Sequence, residues 1–275
     1  MRVGLLQLNS SDDPSENLAS TLSFVDEAAD AGAEFILTPE VTNCVSASRA
    51  RQNEVLRSED DDPTLAGLRA AFADRGVWGL IGSLAIKGGA DGRFLNRSFL
   101  ISPDGDIAAR YDKIHMFDVT LSETESYRES AGYQPGANAV THEVGDAVVG
   151  MTICYDVRFP HLYRRLAQSG ATVLTVPSAF ARETGQAHWE TLLRARAIEN
   201  GAFVLAPAQC GTHAASTGKP RATHGHSLAV APWGEILADG GDLPGVTLVD
   251  LDLSAVENAR QRVPSLTHDR RFEGP

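Results

Sequence analysis

Apolar and polar positions alternate along this chain in short blocks whose period changes from block to block. Val3-Gly4-Leu5-Leu6-Gln7-Leu8 is an apolar run of strand length. Asp13-Pro14-Ser15-Glu16 then reads as a capping box with proline at the first helical position. Leu18, Leu22, Val25 and Ala29 recur at helical spacing, and Gly32 ends the helix. Phe35-Ile36-Leu37 follows as a second strand, so the chain opens with a βαβ unit. A second helix is predicted from Pro63 through Leu65, Leu68 and Phe72 to Gly76. Strands are predicted over 77–86 and 94–102, with Gly88-Gly89 and Asp91-Gly92 marking the turn between them.

Residues 111–138 carry little regular pattern, and a loop that long inside a compact domain is usually functional or mobile. An apolar run ending at Cys154 is a further strand. Behind it comes a helix with Leu162, Tyr163 and Leu166, stopped by Gly170. The pattern continues with a strand over 172–177, a helix with Trp189, Leu192, Leu193 and Ala197 on one face, and strands over 203–208, 227–231 and 246–251. Helices interleaved with strands, several of them hairpin-linked, give an α/β chain with a mixed sheet. Two such sheets face to face, with helices outside, bury the aliphatic strands on both faces.

Composition narrows the class. The 275 residues are 43% hydrophobic and 22% charged, with no linker, repeat or low-complexity block. One domain over residues 1–275 is expected, with a tail from about residue 262. The N-terminus lacks the pattern of a signal peptide, and no apolar stretch reaches the roughly 20 residues that span a bilayer. A cytoplasmic address is expected. A net charge of −12 argues against nucleic-acid and anionic-membrane partners. Part of that charge sits in Glu59-Asp60-Asp61-Asp62, read as a solvated loop. Cys44, Cys154 and Cys210 are odd in number and widely spaced, which fits reduced thiols.

Candidate chemistry centres on Cys154. The sequence Cys154-Tyr155-Asp156-Val157-Arg158-Phe159-Pro160 places a thiol at a strand end, before a tight turn and a helix opened by Pro160. Proximity to a helix N-terminus favours the thiolate. Glu40, after Phe35-Ile36-Leu37-Thr38-Pro39, and Lys113, in Tyr111-Asp112-Lys113-Ile114-His115, close two other strand-like runs. An acid, a cation and a thiol at separate strand ends suggest covalent thiol catalysis. Cys44 and Cys210 lack the turn motif and read as packing residues. His224 and His226 share a strand face without a third ligand, so a structural hydrogen bond at His226 is preferred to zinc. Asp156 and Arg158 read either as an ion pair or, for Arg158, as a contact to a substrate carboxylate.

These three segments resemble the signatures of the nitrilase superfamily of carbon–nitrogen hydrolases. Pro177-Ser178-Ala179-Phe180, Arg194-Ala195-Arg196-Ala197-Ile198-Glu199, Gly225-His226-Ser227 and Pro232-Trp233-Gly234 add to the likeness, which runs from Val3 to about Leu253. Cys154–Pro160 and Ala208-Gln209-Cys210-Gly211 are most similar to the branch of deaminated-glutathione amidases, with omega-amidases as the sister group. The resemblance implies a four-layer α-β-β-α sandwich and a Glu40, Lys113, Cys154 triad. It also implies an oxyanion contact from the backbone of Tyr155 and a second glutamate at Glu129 that positions substrate or Lys113. Arg158, Phe180 and Thr184 are the expected substrate-binding residues. No metal or organic cofactor is required. Expected partners are a small amide, preferably a 2-oxo acid amide bearing a carboxylate, and a second copy of the chain in a homodimer or larger homo-oligomer. Asp112 stands where relatives carry a basic or neutral residue, and its role is open, as is that of the polar loop 214–220.

Overall fold

The computed structural model describes residues 1–121 and 126–274. Two six-stranded mixed sheets dominate it. The first runs in the order Gly245–Asp250, Arg2–Gln7, Phe35–Leu37, Trp78–Lys87, Phe94–Ile101 and Ile107–Asp112. Its second, third and fourth strands are parallel, and the flanking pairings are antiparallel. The second sheet runs Val140–Val144, Ala147–Met151, Val173–Thr175, Phe203–Ala206, Leu228–Val230 and Ile236–Asp239. It has the same plan: three parallel strands, one antiparallel neighbour on one side and two on the other. The two halves therefore repeat one topology, although the sequence shows no repeat.

Period-two alternation sorts the side chains into layers. Val3, Leu5, Phe35, Leu37 and Leu80 point inward and join Val149, Met151, Val173 and Leu205 of the opposite sheet in one buried cluster. The intervening Leu6, Ile36 and Ile81 point outward to Val25, Leu68 and Phe72 of the helices Pro14–Asp30 and Pro63–Arg75. Helices Pro160–Gln168 and Arg182–Asn200 cover the far side through Leu162, Tyr163, Trp189 and Leu193. Helix, sheet, sheet, helix is the expected four-layer sandwich. Each large aliphatic side chain removed from water contributes about 1.5–3 kcal/mol before entropy is charged against it.

Caps fall where the local sequence demands. The Asp13 carboxylate accepts from the backbone N–H groups of Ser15 and Glu16, and Pro14 occupies the first turn. Asp62 caps the helix Pro63–Arg75 through Leu65 N–H at 2.9 Å, and Gly76 ends it in the left-handed region at φ 62°. The run 59–62 is thus not simply a solvated loop. Asp62 is a buried cap, and Glu59 accepts from Arg97 and Arg110 at 2.7 and 2.8 Å.

Other differences from the sequence reading are local. The segment 111–138 contains an antiparallel ribbon of Asp118–Thr120 with Ser126–Arg128, and a 3₁₀ turn at Glu129–Ala131. Residues 122–125 of that segment lie outside the described residues. Helices Arg49–Val55 and Ser254–Arg262, too short or too polar to show a pattern, were not anticipated. The tail beyond residue 262 is tied down in part, since Arg164 donates to Asp269 at 3.1 Å through Nε. Among the described residues, no helix is long and apolar enough to cross a membrane.

Candidate active site

Both sheets direct the carboxyl ends of their parallel strands to one place, where ligands gather in open α/β sheets. Glu40 follows Phe35–Leu37, Cys154 follows Ala147–Met151, and Ala179 follows Val173–Thr175. Lys113 follows Ile107–Asp112 at the sheet edge. Gly82 makes the Glu40 turn possible, because a Cβ there would lie 1.9 Å from the Thr38 carbonyl oxygen. Its N–H donates to the Thr38 hydroxyl oxygen at 3.0 Å, while Ser83 N–H donates to Pro39 O at 3.2 Å.

The expected triad is assembled and buried, with Lys113, Glu40 and Cys154 at 2%, 4% and 6% exposure. Lys113 Nζ donates to Glu40 Oε1 at 2.8 Å and to both oxygens of Glu129 at 2.9 Å. Glu129 also accepts from Phe117 N–H at 2.6 Å, which fixes its carboxylate plane. The other oxygen of Glu40 accepts from Ala179 N–H at 2.8 Å. The sequence reading missed Asn96, whose side-chain amide donates to Glu40 at 2.9 Å and to Glu129 at 3.4 Å. Its signal was present as a polar residue inside the apolar strand Phe94–Ile101.

Electrostatics follow from one cation between two carboxylates. Burial alone pushes Lys113 down, but the charges of Glu129 and Glu40 outweigh it and hold the ammonium well above the usual lysine range. Burial pushes Glu40 up, and the charge and hydrogen bond of Lys113 bring it below the usual carboxylate range. Both groups are ionised at neutral pH. Cys154 behaves oppositely. Burial raises its pKa, and the Glu40 charge raises it further, against a smaller lowering by Lys113. The resting group is therefore a thiol, and the helix N-terminus expected to favour the thiolate does not outweigh burial and the Glu40 charge. A five-residue 3₁₀ segment, Cys154–Arg158, supplies too little dipole to offset desolvation beside a carboxylate. Glu40 faces the thiol and is hydrogen-bonded to it.

Backbone geometry is unusual at both working strand ends. Cys154 has φ 48°, and so does Val41, the residue after Glu40. Cys154 N–H donates to Pro177 O at 3.0 Å, which binds the elbow to the neighbouring strand end. Asp156, fully buried, accepts from Tyr111 Oη at 2.6 Å, Ile153 N–H at 2.9 Å and His115 N–H at 3.0 Å. The His115 ring pairs with it at 2.7 Å and stacks on Phe159, with centroids 3.5 Å apart. This network ties the lysine segment to the nucleophile turn.

A cavity of about 940 Å³ opens above the thiol, lined by Glu40, Lys113, Glu129, Cys154, Tyr155, Phe180 and Thr184. That volume suits a metabolite of many heavy atoms rather than only a minimal amide. Arg158 does not join the wall. Its guanidinium lies 5.9 and 5.4 Å from the Tyr155 and Phe180 ring centroids, and Nη2 contacts His188 Nδ1 at 3.2 Å. Nor is it the partner of Asp156, whose oxygens are taken by Tyr111, Ile153 and His115. Asp112 grips Arg97 in a two-point ion pair at 2.7 and 2.8 Å. The loop 214–220 reaches the site, where Lys219 and Pro220 line the cavity beside Arg221. Cys44 also borders the cavity, whereas Cys210 is buried elsewhere. His226 Nδ1 pairs with Asp239 at 3.0 Å, and its ring stacks on His224 at 4.8 Å.

Comparison with known proteins agrees with this geometry. The family described as Carbon-nitrogen hydrolase matches residues 2–261. A deaminated glutathione amidase of Yersinia enterocolitica is 37% identical over 270 residues, covering 98% of this chain and 92% of that one. One from Mus musculus is also 37% identical, covering 98% and 83%. Among solved structures, the C. elegans NitFhit protein matches with TM-score 0.88 and 31% identity over 98% of this chain and 65% of its own. An amidase of Nesterenkonia sp. matches at TM-score 0.77 and 27% identity, covering 96% and 98%, in a form with acrylamide added at its active-site cysteine. The chain thus belongs to the carbon–nitrogen hydrolase family of the nitrilase superfamily and is a hydrolase of carbon–nitrogen bonds.

Proposed function

We propose that the protein is a cofactor-independent amidase that cleaves the terminal amide of a small carboxylated metabolite through a thioester on Cys154. The Lys113 ammonium, held between Glu40 and Glu129 at the floor of the cavity beside the thiol, carries this reading. Glu40 takes the proton of Cys154 as sulfur attacks the amide carbon. Lys113 and the Tyr155 N–H stabilise the oxyanion. Collapse expels the nitrogen, which receives the proton from Glu40 and leaves as ammonia. Water then attacks the thioester while Glu40 accepts a proton again. Expulsion of sulfur frees the acid, and that proton restores the thiol.

The relatives named deaminated glutathione amidase support a 2-oxo acid amide of that type as substrate. The acrylamide adduct on the cysteine of the Nesterenkonia amidase supports the nucleophile. On the same reading the chain is a single catalytic domain working in the cytoplasm as a homo-oligomer.

The test is ammonia release from a panel of 2-oxo acid amides, plain amides, ureido acids and nitriles. Carboxylated 2-oxo amides should head the panel. Faster turnover of nitriles, or an acyl adduct found by mass spectrometry on a peptide other than that of Cys154, overturns the reading.

A further inference from the structure

We propose that Arg221 is the anion-binding residue of the cavity and takes a carboxylate of the substrate, an assignment that deepens the amidase reading and rests on it. The argument begins with charge. The protein is strongly acidic overall, at −12, which repels an anionic substrate. The cavity wall away from the catalytic cluster has the opposite sign: Arg49, Arg128, Arg182, Lys219 and Arg221 face Glu183 alone.

These cations are not equivalent. Arg49 is committed, donating to Gly132 O at 2.9 Å and Gly92 O at 2.8 Å while lying over Phe94. Arg128 donates to the carbonyls of Val119 and Tyr127 and is exposed, as are Arg182 and Lys219. Arg221 is half-buried. Its Nη2 donates to Ala179 O at 2.5 Å. Its Nε is buried without a hydrogen-bond partner, and it forms no ion pair with a carboxylate among the described residues. A buried donor on a charged group is costly when left unmade. The guanidinium lines the cavity, lies 5.6 Å from the Tyr127 ring centroid and is bonded to no carboxylate among the described residues, so an incoming anion can serve as its counter-ion.

Placement gives the residue its meaning. Ala179 holds Glu40 through its N–H and Arg221 through its C=O, so one residue sets the general base and the cation in fixed relation. The two lie near enough that the Arg221 charge helps to lower Glu40. A substrate with its amide carbonyl over Cys154 can therefore reach Arg221 with a carboxylate on its acyl chain. The planar guanidinium fork suits a carboxylate better than an ammonium does. Arg158, the candidate read from the sequence, lies outside the cavity wall and is displaced from this role.

The experiment compares kcat/KM for glutaramate with that for hexanamide, a neutral amide of similar size, in wild type, Arg221→Gln and Arg221→Lys. The glutaramate-to-hexanamide ratio should fall about 10- to 100-fold in Arg221→Gln, as expected for the loss of a charge-assisted hydrogen bond. Arg221→Lys should retain part of the preference. Calorimetric titration of glutarate into Cys154→Ala, with and without Arg221→Gln, reads the same contact without turnover, and affinity should fall by a similar factor. If wild type releases ammonia from neither amide, the amidase reading fails and glutarate binding alone decides Arg221. An unchanged ratio in Arg221→Gln, or glutarate binding that is absent or indifferent to Arg221, overturns the assignment. Equal loss for both amides does so too, since Arg221 would then act only by holding Ala179.

Discussion

The side-chain amide of Asn96 donates to the carboxylate of Glu40 at 2.9 Å, joining a strand interior of the first sheet to the end of a parallel strand. This contact stabilises the charged form of Glu40, alongside Lys113 and the Ala179 N–H. Asn96→Ala should lower kcat/KM about 10- to 100-fold, the range for a lost hydrogen bond to a charged group. The acid limb of the kcat/KM profile should move to higher pH, because Glu40 loses a donor that favours its ionised state. Activity falls as pH drops through the Glu40 pKa, so a raised pKa brings the fall closer to neutrality. A wild-type profile in this variant would remove Asn96 from the site.

Cys154→Ala should reduce turnover by at least about 10³-fold while leaving the fold intact, since it removes the nucleophile and little volume. Cys154→Ser should be nearly as inactive, because a depressed Glu40 is a poor base for an alcohol. Ammonia release by the purified variants, with far-ultraviolet circular dichroism to verify folding, is the measurement. Retained activity in Cys154→Ala ends the covalent mechanism.

Asp156→Ala leaves the Tyr111 hydroxyl and the buried N–H groups of Ile153 and His115 without their acceptor. Removing one partner from such a network costs about 3–5 kcal/mol. A fall in Tm of roughly 10 °C is expected for a chain of this size. If Tm holds while activity is lost, the network positions the lysine segment without supporting the fold.

The cluster of Glu40, Lys113 and Cys154 was legible because each member closes a strand and carries its own local motif, so period and position marked it out. The four-layer fold was legible for the same reason, through aliphatic strands apolar on both faces. The partners of those residues were not. Asn96 reaches Glu40 across 56 positions of sequence, and the Ala179 N–H does so across 139, contacts that no local pattern encodes. Arg158, four residues beyond Cys154 in sequence, is not among the residues that line the cavity. The 3₁₀ turn leaves its guanidinium 5.9 and 5.4 Å from the Tyr155 and Phe180 ring centroids, whereas Arg221 follows a polar loop with no periodic signal.

His213 is buried, with Nδ1 donating to Ser10 O at 2.8 Å and Nε2 accepting from Thr223 Oγ1 at 2.7 Å. This arrangement fits the neutral ring. Burial lowers its pKa to about 4, below the ordinary histidine value of about 6.5. The unfolded chain therefore binds a proton first as pH falls. Stability from this group is full above about pH 6.5 and is lost progressively down to about pH 4, by up to about 3 kcal/mol. Urea denaturation across that window should show the decline, and His213→Gln should flatten it. An unaltered slope would assign the acid sensitivity to other groups.

The left-handed backbone at Cys154 sets what the fold wants against what the reaction needs. At φ 48° a side chain beyond Cβ brings no comfort to the main chain, and glycine would relieve about 1 kcal/mol relative to alanine. Cys154→Gly should accordingly melt at a higher temperature than Cys154→Ala, though both are inert. A library of this gene screened for heat resistance alone would drift toward glycine at that position, and the reaction would be the first thing bred out.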